Sequence, residues 1–188
     1  MTTASPDPTP MDLVGGGPSS ALIERDLSYV GRSPRQAQAT ADSDASPEAV
    51  WAVLIDHRRW PEWFGPALVS CEPTSAQESG VGATRVVGLR GGAAIAERFI
   101  AWDEGELWAF TGTAAKPKVF ASLVEQAELH RLPGDRTRIT YTMAFEPAGL
   151  LRFGGPLLAG GISRALKSAL RNLARRAEEA AGPTVGRS

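Results

Sequence analysis

Apolar and polar side chains alternate along RTRITYTMAFEP, residues 136–147: Ile139, Tyr141, Met143 and Phe145 fall on one side, Arg138, Thr140, Thr142 and Ala144 on the other. A period of two over that length predicts a strand with one packed face. Strand-like runs recur at ALVSCEP (67–73), ATRVVGL (83–89), AAIAERFIAW (93–102), ELWAFTG (106–112) and VFASLVEQAELHRL (119–132). Arg90-Gly91-Gly92, Asp103-Glu104-Gly105 and Pro133-Gly134-Asp135 separate successive runs with turn chemistry, which predicts consecutive hairpins. Upstream, RQAQATADSDA reads as a first strand polar enough to lie at a sheet edge.

The period changes at Ser46-Pro47-Glu48. Serine caps a helix, proline costs nothing at its first position and a carboxylate meets the positive helix end. Val50, Trp51, Leu54 and Ile55 follow at helical spacing, and Arg58 to Phe64 predicts a second short turn stopped by Gly65-Pro66. At the other end, Ile162, Leu166, Ala169, Leu170, Leu173 and Ala177 form one stripe of a long helix ended by Gly182-Pro183. A glycine-rich connector, Gly149 to Gly155, is expected before it, with a kink at Gly160-Gly161. Residues 1–34, rich in Pro, Gly, Ser and Thr, read as a disordered tail. Within it ALIERDLSYV either forms a short helix or docks on the body. The domain is expected over 35–182, with 183–188 as a C-terminal tail.

Composition narrows the classes. A chain of 188 residues has one-domain length, and a net charge of -1 gives no whole-molecule reason to bind nucleic acid. No apolar run reaches the roughly 20 residues that span a bilayer, and the N-terminus has no signal-peptide pattern, so integral membrane contact is not expected. One cysteine, Cys71, leaves no internal disulfide and suits a reducing cytoplasm. With His57 and His130 as the only histidines there is no metal-ligand spacing, and neither a metal nor a cofactor is expected. His57 beside Asp56 lacks a Ser or Cys nucleophile in a recognisable elbow, and GVGATRVVGLRGG reads as strand–hairpin–strand, not a phosphate loop.

The order strand, two short helices, a run of antiparallel strands and one long helix is an α+β plan. In SPEAVWAVLID (46–56), RWPEWF (59–64), AERFIAWDEG (96–105), TRITYTMAFEP (137–147) and the amphipathic last helix, residues 36–181 resemble the START-like, Bet v 1-like helix-grip superfamily (SRPBCC). Within it they resemble the bacterial polyketide cyclase/dehydrase and lipid-transport family. That resemblance implies a curved antiparallel sheet of about seven strands wrapped around the C-terminal helix, with a cavity between them. It also implies hydrophobic-ligand carriage or aromatase/cyclase chemistry.

In such a cavity the expected ligand-binding side chains are Trp60, Trp63, Phe64, Val87, Phe99, Phe110, Tyr141, Met143, Phe145, Leu166 and Leu170. Trp51 is expected to anchor the first helix in the core. Trp60 and Trp63 are read as a lid or rim, against a plainer reading as a hydrophobic plug. Glu125, Tyr141 and Arg85 are the catalytic candidates if the chain is an enzyme. A carboxyl among apolar neighbours holds its proton more tightly, and an arginine or tyrosine can polarise a ketone oxygen. Alternation puts Glu97 and Arg98 on opposite faces. The plainer reading gives each a structural Arg–Glu ion pair across neighbouring strands or a solvated outer-face contact, Glu125 a rim or solvent-facing place, and Tyr141 a place in the core. The basic stripe Arg164, Lys167, Arg171 and Arg175 reads as a solvated face, or else as a transient contact with anionic lipid. Three functions follow: carrier of an apolar small molecule (lipid, polyketide or isoprenoid), cyclase/dehydratase in the same cavity, or protein-interaction module.

Overall fold

The computed structural model describes residues 19–182. Strand β1 (Ser20–Ala21) is followed by a 3-10 turn, then β2 (Arg35–Ser43), α1 (Pro47–Leu54) and α2 (Pro61–Phe64). Six strands come next: β3 (Leu68–Pro73), β4 (Thr84–Leu89), β5 (Ala93–Asp103), β6 (Leu107–Lys116), β7 (Phe120–Leu132) and β8 (Arg136–Pro147). Helix α3 (Gly155–Ala181) ends the described chain. The antiparallel sheet runs β2-β8-β7-β6-β5-β4-β3, with β1 joined to β6. Strand β2, the one expected at an edge, is an edge strand and pairs with β8.

Local chemistry sets these elements. The Ser46 side chain accepts from the Ala49 amide at 3.3 Å, which starts α1. Gly91 and Gly92 both have positive φ, 83° and 79°, so the β4–β5 chain reverses without Cβ strain. Helix α3 docks by its apolar stripe: Leu166, Ala169, Leu170, Leu173, Ala174 and Ala177 are all buried. At its far end the Glu178 carboxylate accepts from the Asp44 amide (2.9 Å) and the Ser43 hydroxyl (3.0 Å), tying it to the edge strand.

The helix begins at Gly155, where the glycine-rich connector was expected to end, and runs on through Gly160-Gly161, the expected kink, without a break. Leu158 and Ile162 extend the buried stripe through the glycines, so packing outweighs their poor helix propensity. The disordered reading is corrected for residues 19–34, where ALIERDLSYV docks on the body as its alternative reading had it, while 1–18 and 183–188 lie outside the described residues. Strands β6 and β7 pair only from Leu107 to Thr111 and then part. The N-terminal segment fills the seam: the Leu22 amide donates to Thr113 O (2.9 Å) and the Ile23 amide to Ala121 O (2.8 Å). Leu22 enters the core, and Tyr29 packs near Val124 and Ala144 on the opposite face, its hydroxyl 2.7 Å from Ser122 Oγ.

This seam tolerates little bulk at Gly112. A Cβ there would come within 2.8 Å of Leu22 Cδ1 and 3.3 Å of Leu123 Cβ. Gly112→Val is therefore expected to destabilise the protein by about 1–3 kcal/mol through overpacking. Faster hydrogen exchange at the Leu22 and Ile23 amides, with the β2–β8 ladder unchanged, would show that the loss is local.

Candidate functional site

The inner sheet face carries a row of polar side chains within an otherwise apolar wall. The β4–β5 register sets Arg85 directly opposite Glu97, and Arg85 Nε donates to Glu97 Oε2 at 2.7 Å. Both are almost wholly buried, at 1% and 3% exposure. Glu97 thus forms a structural ion pair across neighbouring strands, as the plainer reading had it, and Arg98, on the opposite face, reaches Glu24. Glu125 on β7 is buried too, not solvent-facing, and accepts a hydrogen bond from the Tyr141 hydroxyl.

Arg85 sits in an aromatic box. Its guanidinium carbon lies 4.1 Å from the Trp60 ring centre and 4.3 Å from that of Phe110, with Phe99 and Trp108 slightly farther away. Its Nη1 lies 3.0 Å from His57 Nδ1. Arginine can only donate, so His57 accepts through Nδ1 and carries its proton on Nε2. His57 Nε2 and Arg85 Nη2 are buried without a hydrogen-bond partner. Burial, then the Arg85 charge, push the His57 pKa down to about 3, so the imidazole is neutral.

The carboxyls respond in the opposite direction. Burial, reinforced by the Glu97 charge and opposed by the Tyr141 hydrogen bond and Arg85, pushes Glu125 up to about 8. Burial also raises Glu97, with Arg85 pulling the other way. The Tyr141 phenol is held well above its ordinary value, by burial first and then by Glu125. Near neutral pH the row therefore holds a protonated Glu125 beside a neutral Tyr141, with Glu97 set against a permanent cation.

Glu97 and Glu125 face a cavity of about 340 Å³ between the sheet, α2 and the first half of α3. Trp60, Phe64, Val87, Phe110, Met143 and Leu166 line it, all singled out from sequence as ligand contacts. Trp63, Phe99, Tyr141, Phe145, Leu170 and Arg85 do not line it, although all are buried in the surrounding wall. The lid reading of the two tryptophans is corrected: both are buried, and Trp60 Nε1 donates to Leu54 O at 2.8 Å. Trp51 is buried in the core. Trp63 instead borders a hollow outside the grip, whose walls carry Asp56, Arg59, Arg176 and Glu179 among alanines. Leu68, Ile95, Phe120, Leu158 and Ile162 line the cavity and were not singled out; Ile162 was already visible in the helix stripe.

A curled antiparallel sheet closing on one long terminal helix, with short helices after the first full strand, is the helix-grip fold of START-like and Bet v 1-like proteins. A START superfamily protein from Mycobacterium smegmatis superposes with TM-score 0.64 at 16% identity, over 77% of this chain and 97% of its own. The Zhui aromatase/cyclase from Streptomyces sp. R1128 superposes with TM-score 0.63 at 20% identity, over 81% and 98%. At such identities the likeness is one of fold. The chain belongs to the polyketide cyclase/dehydrase and lipid transport family, whose model matches residues 34–178. The uncharacterized protein Rv2574 of Mycobacterium tuberculosis is 32% identical over 149 residues, covering 79% of this chain and 88% of that protein. No helix among the described residues is long and apolar enough to cross a membrane.

Proposed function

We propose that the protein binds a largely apolar small molecule in the cavity between the sheet and α3, with the molecule's one neutral polar end against Glu125. The cavity itself carries this reading. At about 340 Å³ it falls in the size range of small-molecule sites, and its wall is apolar except for Glu97, Glu125 and Lys116. A protonated carboxyl donates a hydrogen bond, so a ketone or hydroxyl oxygen is the natural partner for Glu125. An anionic headgroup would meet two carboxyls there and is disfavoured. The family supports a ligand-binding or cyclase role, and lipids, polyketides and isoprenoids all offer the required shape. The reducing cytoplasm is the setting proposed, on the strength of the single free, buried cysteine.

Filling the cavity tests the proposal. Val87→Phe is expected to weaken binding of an apolar fluorophore at least about tenfold while shifting the melting temperature by only a few degrees, since the added ring enters empty space. Equal binding by the folded variant would place the fluorophore elsewhere and sink the proposal. Native mass spectrometry of protein from its own host would identify co-purified cargo.

A second reading, a cyclase/dehydratase, is favoured by the Glu125–Tyr141 contact. Glu125 can give its proton to a ketone oxygen or a leaving hydroxyl, while the Glu97 carboxylate takes a proton from carbon. Tyr141 and Arg85 would then position the two acids without touching the substrate. Turnover of a poly-β-ketone that disappears in Glu125→Gln, with substrate binding kept, would select this reading over carriage alone.

A further inference from the structure

Seven large apolar side chains are exposed among the described residues, and four of them crowd into residues 150–157. Leu150, Phe153 and Leu157 are 85%, 74% and 86% exposed, and Leu151 is exposed as well. They occupy the 3-10 turn before α3 and the first turn of that helix. Exposed leucines and a phenylalanine in one place are costly on a surface meant only for water.

The charge around this patch is one-sided. Between Glu146 and Glu178 the sequence has no acidic residue and six basic ones: Arg152, Arg164, Lys167, Arg171, Arg175 and Arg176. Arg175 and Arg176 reach Glu179 and Glu62. Arg152, Arg164, Lys167 and Arg171 are exposed, and none forms an ion pair among the described residues. Elsewhere arginines commonly face carboxylates, as Arg58, Arg136 and Arg138 do. Leu157, Arg164 and Arg171 recur every seven residues, so they lie nearly in line on the exposed side of α3, about 10 Å apart. The opposite side of the same turns presents Leu158, Ile162 and Leu166 to the cavity.

We propose that the protein docks on anionic lipid bilayers through this surface, Leu150, Leu151, Phe153 and Leu157 entering the headgroup–acyl boundary while Arg152, Arg164, Lys167 and Arg171 meet the lipid phosphates. Apolar side chains flanked by unpaired basic ones are the combination an anionic interface selects. Docking in this pose lays the outer side of α3 on the membrane, while the inner side of the same turns lines the cavity. Contact with the bilayer does not itself require an occupied cavity.

Flotation of the full chain with vesicles tests this. Binding is expected to phosphatidylcholine vesicles containing phosphatidylglycerol, weakened by added salt, and not to phosphatidylcholine alone. Phe153→Ser/Leu157→Ser and Arg164→Glu/Lys167→Glu should each reduce it by at least about tenfold with unchanged circular dichroism, because all four residues are exposed. Binding that ignores salt and lipid charge, or survives both double variants, overturns the proposal. So does a chain that floats with neither vesicle yet self-associates through Phe153 and Leu157, since the patch would then be a protein interface.

Discussion

Replacing Arg85 by methionine is expected to destabilise the protein by about 3–5 kcal/mol, the cost of leaving a buried carboxyl without its counter-charge. Glu97 would have to take up a proton, while Trp60, Phe99, Phe110 and Trp108 lose the cation they surround. For a domain of this length that corresponds to a fall in melting temperature of about 10 °C. Adding Glu97→Gln should restore part of the loss, because the remaining group no longer needs a charge partner. Urea unfolding of wild type, both single variants and the double variant measures the coupling directly. A loss below about 1 kcal/mol in Arg85→Met would mean that water reaches Glu97, and would remove the basis for the site's electrostatics.

Stability should pass through a plateau in weakly acidic solution and decline on either side. Folded Glu125 keeps its proton up to about pH 8, whereas an unfolded chain releases it near the ordinary 4.5. Its contribution is therefore complete below 4.5 and lost as pH rises towards 8. His57 behaves inversely: neutral in the fold down to about 3 but protonated below 6.5 when unfolded, it loses its contribution as pH falls from 6.5. Between 4.5 and 6.5 the two slopes oppose each other. Glu125→Gln removes only the alkaline limb, so it should gain of order 3 kcal/mol on wild type near pH 8 and little near pH 5. Unfolding followed across that range checks it, and an alkaline decline that persists in the variant assigns the proton to another group.

Most of the fold could be read from periodicity, and part of the polar row from register. In a hairpin centred on Gly91, positions equidistant from the centre pair, so Arg85 must face Glu97. That arithmetic was available in the Arg90-Gly91-Gly92 turn, and the alternation that puts Glu97 and Arg98 on opposite faces already leaves Glu97 to a partner on a neighbouring strand. About Gly134 the same arithmetic sets Glu125 opposite Met143 and Ala127 opposite Tyr141, which leaves Glu125 and Tyr141 as diagonal neighbours on one face. Burial was less legible. Alternation places Glu125 among Leu123, Ala127 and Leu129, but does not say whether the end of that row meets water. The ligand contacts scattered because a wall two side chains deep looks the same in sequence as one side chain deep: Phe99 and Leu170 share the packed faces but sit behind the lining.

The wedge formed by Leu22 and Ile23 has a practical meaning for where this unit starts. Family likeness begins at residue 34, yet a protein cut there would bare Thr113 and Ala121 along two diverging ladders and leave a gap beside Leu123. Uncovered strand backbone of that kind recruits other chains. A fragment trimmed to the shared region should precipitate or pair with itself, so the boundary that common ancestry draws falls inside the piece that folds.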